Sequence, residues 1–481
     1  MLPKFLNRVK ERETLSRVLE SKRSELFIIY GRRGVGKSAL LQAVIRERSV
    51  SALYYRATRR TLSLQLTSLT ETVREAFPDE YLGGALSSLD EFLAFLSNLA
   101  ERRHKKKNRE PVVAILDELP YLADVDQGLL TTLQHWWDDN KRRPNIKLFL
   151  SGSHISFMEK EVLDAAAPLY NRRTGAMRLE ALDYFDAALF FPKYSLIDKV
   201  SVYSILGGMP SYLEQFNPGQ SLPTNVKDQC LRERTYLSEE PEWLLLEDLR
   251  KDTTYGSVLR AIAHGARKPS EIAKAIGKES AQDVAPHLGM LQELGLVVRE
   301  VPVTERTVAR SRSSLYLIAD QYLDFWYRYI DPSRSLVARQ MGSQLWSKSI
   351  LPTLDQHISK PTFERMARQY LWRALTMKRL PPDLEFVDVG SWWGEGDVEI
   401  DVVALDSNSN PTVAGSCKWT KSLVDVADYR ALQQGCEKAG WEVEHLRFFL
   451  FSKSGFSERL EAIAKQNDRL ILVSLADMYR P

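Results

Sequence analysis

Cysteine is scarce, with only Cys230, Cys417 and Cys436 among 481 residues. The three show neither paired spacing nor neighbouring histidines, which excludes a disulfide framework and a zinc site and fits a reducing cytoplasm. Excess charge of one sign is missing too: 66 Lys and Arg against 63 Asp and Glu leave +3, too little to establish a nucleic-acid partner by itself. No stretch approaches the roughly 20 apolar residues of a membrane span, and the N-terminus lacks the apolar core of a secretion signal. A soluble cytoplasmic protein without a membrane partner is therefore expected. No internal repeat or low-complexity tract is present, and an apolar fraction of 44% is ordinary for globular domains, of which a chain this long should hold two to four.

Residues 31–38 read GRRGVGKS, directly after the apolar run Leu26 to Tyr30 and before the helical stretch Ala39 to Ile45. Strand, glycine-rich turn and helix in that order make a phosphate-binding loop. Gly31, Gly34 and Gly36 allow the sharp turn, so that successive N–H groups from Gly31 through Val35 to Ala39 and the helix N-terminus face the phosphates. Lys37 would reach the β- and γ-phosphates, and Ser38 would ligate Mg²⁺. The spacing predicts a nucleoside triphosphate, ATP, with Mg²⁺.

Between Pro111 and Tyr121 five apolar residues run into Asp117 and Glu118, a buried parallel strand ending in acid. Asp117 is the Mg²⁺-side carboxylate. Glu118 is placed to polarise an attacking water, unless it merely caps the next helix. A third strand, Ile146 to Leu150, ends in Ser151-Gly152-Ser153, so Ser151 or Ser153 is a candidate sensor of the γ-phosphate, with an ordinary serine-rich turn as the alternative.

Together with the N-terminal Phe5 to Glu13, the LSGSHISFM segment, Leu169 to Gly175 and Gly207-Gly208-Met209-Pro210, these motifs resemble the archaeal-type ATPase family, which lies among the AAA+ and STAND P-loop proteins. The resemblance implies that Leu6, Asn7 and Arg8 lie against the adenine. It also implies that Arg172 or Arg173 is an arginine finger and that a helical lid carries Pro210. Asn171 stands where relatives often have glycine, and an Arg-Arg pair also suits a solvated face or a structural salt bridge.

Strands alternate with helices to about residue 180, as in a parallel sheet covered on both faces. The basic run Arg102 to Arg109 reads as a solvated loop or as a contact for phosphate backbone. From 181 to 248 the pattern turns helical, with a bend at Gly207-Gly208 and Pro210. Residues 249–330 contain a winged-helix pattern: helices over Tyr255 to His264, Pro269 to Gly277 and Val284 to Leu294, then wing strands Leu296 to Arg299 and Leu315 to Ile318. Arg306, Arg310 and Arg312 form a basic wing tip suited to DNA phosphates, whereas the third helix offers few base readers; protein packing is the competing role. Tyr322, Phe325, Trp326 and Tyr329 recur at helical spacing and are expected in a core.

In residues 331–481, Glu364 opens a helix, a strand carries Glu399 and Asp401, and a second strand ends in Lys418. This order resembles the PD-(D/E)XK restriction-endonuclease-like fold, in which the resemblance implies that the acids hold Mg²⁺ and the lysine supports the attacking water. Ser416 stands where that pattern has an acid, and a hydroxyl is a poor substitute for a carboxylate ligand. The site has either lost its chemistry or been rescued by Glu399. The expected architecture is thus α/β: a P-loop NTPase parallel sheet (1–180) with a helical lid (181–248), a winged helix (249–330) and an α/β restriction-endonuclease-like domain (331–481). The expected function is an ATPase that engages DNA, with an ATP-dependent protein-interaction switch or an ATP-regulated nuclease as alternatives. A homo-oligomer or protein partner is left open.

Overall fold

The computed structural model describes residues 7–105, 110–142, 145–249, 253–305, 307, 311, 313–394 and 398–480. The chain forms two compact units, 1–181 and 182–481.

The first unit is built on five parallel strands: β1 (Glu25–Tyr30), β2 (Ala52–Arg56), β3 (Val112–Asp117), β4 (Ile146–Gly152) and β5 (Gly175–Arg178), in the order β2-β3-β4-β1-β5. The three central strands are almost wholly buried, which is why their sequences are continuous apolar runs rather than alternating ones. Helices Leu62–Ala76, Leu89–Lys105 and Leu129–Asn140 send Leu69, Phe92, Leu96, Leu133 and Trp137 into one core against Ile28, Ala114 and Leu148. The basic run differs from the expected loop. Arg102 to Lys105 form the last turn of Leu89–Lys105, where cations offset the exposed carbonyls, and Arg102 pairs with Glu80 at 3.0 Å. Residues 106–109 lie outside the described residues.

The second unit opens with helical segments. Helix Leu196–Leu206 is buried over its last seven residues and ends at Gly207, whose φ of 64° suits only glycine there. Tyr322, Phe325, Trp326 and Tyr329 are buried, with Tyr322 stacked near Tyr212 and Phe325. Helices Thr253–Ala263, Pro269–Ala275 and Ala281–Glu293 precede an antiparallel pair, β6 (Val297–Glu300) and β7 (Leu315–Ile318). Pro286 lies inside the third of these helices rather than at its start.

A five-stranded mixed sheet follows: β8 (Asp388–Trp393), β9 (Glu399–Leu405), β10 (Pro411–Lys418), β11 (Arg447–Ser452) and β12 (Leu470–Ser474), in the order β12-β11-β10-β9-β8. The pairs β10-β11 and β11-β12 are parallel, and β8-β9 and β9-β10 are antiparallel. Helix Glu364–Thr376 packs against β8 and β9. The β6–β7 connection docks on edge strand β8: Val303 N–H donates to Ser391 O at 2.9 Å, and Trp393 Nε1–H donates to Ser313 O at 3.1 Å. Covering an edge in this way blocks further strand addition. No helix of the described residues is long and apolar enough to cross a membrane.

Candidate functional site

Three turns meet at the carboxyl ends of the adjacent strands β1, β4 and β3, where open α/β sheets place their ligands. The turn after β1 holds Gly31, Gly34 and Gly36 at φ of 148°, 81° and 96°, conformations that side chains resist. Gly31 also has no room for a side chain, because a Cβ there would lie 2.3 Å from Leu179 O. Val35 is buried, Ala39 is exposed in the first turn of helix Lys37–Glu47, and Lys37 begins that helix. Lys37 Nζ donates to Gly31 O (2.8 Å) and Arg32 O (3.1 Å). Burial pulls its pKa down, against the opposing pull of Glu118 and Asp117.

Asp117 is the hub of the second turn. Its Oδ2 accepts from Ser38 Oγ at 2.7 Å and from the Tyr54 hydroxyl, and its Oδ1 accepts the Glu118 N–H at 3.1 Å. A serine hydroxyl beside a carboxylate is an all-oxygen donor set suited to a hard cation such as Mg²⁺. Glu118 sits in the left-handed region at φ 57° at the N-cap of the helix that follows, but its side chain makes no capping bond. Its Oε2 instead accepts both the N–H (3.1 Å) and Oγ–H (2.7 Å) of Ser153. A non-glycine residue held at positive φ is a strained arrangement of the kind that gathers at working sites. Ser151 lies inside β4 rather than at its tip, because the strand runs on to Gly152. It pairs with Ile29 and its buried Oγ has no hydrogen-bond partner among the described residues.

Tyr54 is the residue the spacing does not reveal, since it reaches Asp117 from the neighbouring strand β2. Burial and the Asp117 carboxylate push its phenol pKa up, so it stays a neutral donor. Partners that orient a metal ligand commonly matter about tenfold or more for metal affinity. Tyr54→Phe should therefore raise the Mg²⁺ concentration needed for half-maximal ATP turnover roughly tenfold. Metal-free nucleotide binding should be unchanged, and a titration of turnover against Mg²⁺ at saturating ATP checks this.

Of the residues expected at the adenine, Leu6 lies outside the described residues, and Asn7 and Arg8 both adopt positive φ. Arg8 is 5% exposed, and its Nη2 donates to Val35 O and to Glu180 O, each at 2.8 Å. The guanidinium thus buttresses the phosphate loop through its backbone. Arg172 pairs with Asp138 at 3.0 Å, and Arg173 donates to Tyr170 O and lies 4.5 Å above the Tyr170 ring. Arg306, Arg310 and Arg312 lie outside the described residues. Beside strands β6 and β7, Arg299 donates to Ser314 Oγ (2.7 Å) and Ser311 O (2.9 Å).

In the second unit the structure brings Glu364, Glu399 and Asp401 together, with one carboxylate oxygen of each within 4.8 Å of the others. Glu364 begins helix Glu364–Thr376 and is buried. Burial first, and then the Asp401 charge, push its pKa up to about 8. Asp401 Oδ2 accepts from the Cys417 N–H (2.7 Å) and Ser416 Oγ (3.3 Å). Lys418 Nζ lies 3.7 Å from Asp428, whereas the ammonium of Lys360, which the sequence pattern does not single out, contacts Glu399.

Residues 5–216 match the family described as an ATPase domain predominantly from Archaea. Residues 326–431 match a family of archaeal and bacterial proteins of unknown function. An uncharacterised protein of Methanocaldococcus jannaschii is 28% identical over 423 residues, 88% of either chain. Among solved structures, a Walker-type ATPase of Pyrococcus abyssi shares 21% identity and a TM-score of 0.50, over 67% of this chain and 96% of that one. The ORC2 protein of Aeropyrum pernix shares 15% identity and a TM-score of 0.44, over 72% of this chain and 96% of that one. The Pyrococcus likeness shows the α/β P-loop ATPase fold.

Proposed function

We propose that this chain is a DNA-engaging ATPase with four working parts: an ATPase core (1–180), a lid (181–248), a winged helix (249–330) and a restriction-endonuclease-like domain (331–481). The observation that carries the reading is the set Ser38, Asp117, Glu118 and Ser153, joined by hydrogen bonds at the ends of three adjacent strands, beside Lys37, whose ammonium is held by Gly31 O and Arg32 O of the phosphate loop. Lys37 faces the β- and γ-phosphates, and Ser38 and Asp117 hold the Mg²⁺ that offsets phosphate charge. Glu118 orients the attacking water. Arg172 or Arg173 supplies an arginine finger.

The winged helix meets DNA through phosphate, by way of Arg306, Arg310 and Arg312, rather than through base edges. Replacing all three with alanine should weaken binding to every duplex alike and flatten the dependence of log K on log salt by up to about 3. Binding titrations at two salt concentrations check this, together with ATP turnover with and without duplex DNA. Turnover indifferent to DNA, and affinity untouched in the triple variant, would sink the reading.

A second reading is a slow ATP-dependent switch that works through protein contacts. Two observations favour it. The β6–β7 connection is docked on β8, and helix Ala281–Glu293 exposes Gln282, Asp283, Ala285, Pro286, Met290 and Glu293, with no cation among them. Slow turnover that DNA leaves unchanged, with nucleotide retained through purification, is its signature.

A further inference from the structure

The carboxylate cluster is served by a different lysine from the one its sequence pattern selects. Glu364 is 8% exposed, points into the cluster, and makes no hydrogen bond or ion pair among the described residues. A buried carboxylate without a partner is costly unless it is neutral or a cation joins it. Two lysines are candidates for that charge. Lys418 Nζ stands 3.7 Å from Asp428 on helix Val426–Lys438. The Lys360 ammonium lies on Glu399, and its charge is felt by both Glu364 and Asp401, whereas the charge of Lys418 is felt by Asp401 and that of Arg368 by Glu364.

The local backbone explains why Lys360 arrives there. It precedes Pro361, whose ring disfavours helical geometry in the residue before it. Lys360 accordingly leaves the helical region, at φ −142° and ψ 117°, four residues before Glu364. The break turns its side chain out of the helical run. With side chains 39% and 38% exposed, the Lys360–Glu399 pair is of the weak, solvent-screened kind.

The cluster also has the dimensions of a divalent site. Oxygens sharing one octahedral Mg²⁺ are about 3.0 Å apart when adjacent and about 4.2 Å apart when opposite, so oxygens within 4.8 Å of one another must close by up to about 1.8 Å to share an ion of that class. All-carboxylate donors select hard cations such as Mg²⁺ or Mn²⁺. We propose that Lys360 gates this site: its ammonium and a divalent cation compete for Glu399. The inference rests on the nuclease-like reading of residues 331–481 and adds to it which lysine serves the site and what that lysine does before metal arrives.

The test is Mn²⁺ binding followed by electron paramagnetic resonance, on the full chain without nucleotide and in a Ser38→Ala background that silences the phosphate-loop site. Lys360→Gln should bind Mn²⁺ about threefold to fivefold more tightly than the parent, Lys418→Gln within about twofold of it, and Glu364→Gln at least about tenfold more weakly. Melting curves confirm that each variant is folded. Unchanged or weaker binding in Lys360→Gln, beside a clear loss in Glu364→Gln, overturns the gate while leaving the metal site standing. Identical binding in the parent, Glu364→Gln and Lys360→Gln overturns both. Binding seen only once Lys360 is replaced supports the gate in its strongest form.

Discussion

Glu118→Gln should bind ATP as tightly as the parent and hydrolyse it at least about a hundredfold more slowly, the usual scale for removing a positioned base. The amide keeps the size of the carboxylate and can still accept from Ser153, so the turn held by the Asp117–Glu118 N–H bond stays in place. What it loses is the charge that polarises water. Lys37→Ala should behave differently and lose tight binding itself, because it removes the cation at the phosphates. The pair of variants separates binding from chemistry, read by nucleotide binding at equilibrium and by single-turnover hydrolysis. Parent-like turnover in Glu118→Gln would show that the Ser153-held carboxylate is a structural latch and that the base lies elsewhere.

The sequence disclosed the nucleotide site because its parts are consecutive. A strand, a glycine turn and a helix N-terminus fix the local backbone, and an acid at a strand end needs only its neighbours to be recognised. Residues that reach the site from afar were not legible. Arg8 is named by the family resemblance, but its contact with Glu180 spans 172 positions, and Tyr54, which no motif marks, reaches Asp117 across 63. No periodicity encodes either. Ser153 rather than Ser151 meets Glu118 for a smaller reason: β4 continues to Gly152, and this changes which serine leaves the strand.

The same contrast holds in the second unit. The strand expected to carry Glu399 and Asp401 occurs at Glu399–Leu405 and the one expected to end in Lys418 at Pro411–Lys418, so the alternation that puts Glu399 and Asp401 on one face was readable. Lys360 was not, because its contact with Glu399 depends on a backbone break before Pro361 rather than on a repeating pattern. The docking of the hairpin on β8 was hidden for a related reason. Val303 meets Ser391 and Trp393 meets Ser313 across segments distant in sequence, and nothing in the spacing of the hairpin marks its base as covered rather than free.

Gly208→Ala should destabilise the second unit by about 3 kcal/mol or more, the upper range for forcing added volume into a packed site, with a lost backbone hydrogen bond added. A Cβ on Gly208 would stand 1.7 Å from Leu182 O and 2.6 Å from Leu182 C, and backbone, unlike a flexible side chain, cannot swing aside. Relief requires moving Leu182 away, yet the Leu182 N–H donates to Gly208 O at 2.8 Å, so the movement that removes the clash breaks the bond. Gly207 next to it cannot absorb the change, because its own φ of 64° already ends helix Leu196–Leu206 in a conformation that suits glycine. At roughly 2–4 °C per kcal/mol for units of this size, the melting transition should fall by about 6–12 °C. Gly289→Ala is the matched control. Gly289 lies within helix Ala281–Glu293 with nothing within 4 Å of the added Cβ, so alanine should stabilise by up to about 1 kcal/mol through a less flexible unfolded chain. Calorimetry on both variants checks the contrast. ATP binding by Gly208→Ala at low temperature shows whether the nucleotide site, which lies in residues 1–181, keeps its structure. A Gly208→Ala transition within about 2 °C of the parent, under about 1 kcal/mol of change, would mean that Leu182 yields freely and that the close approach is not a constraint on the fold.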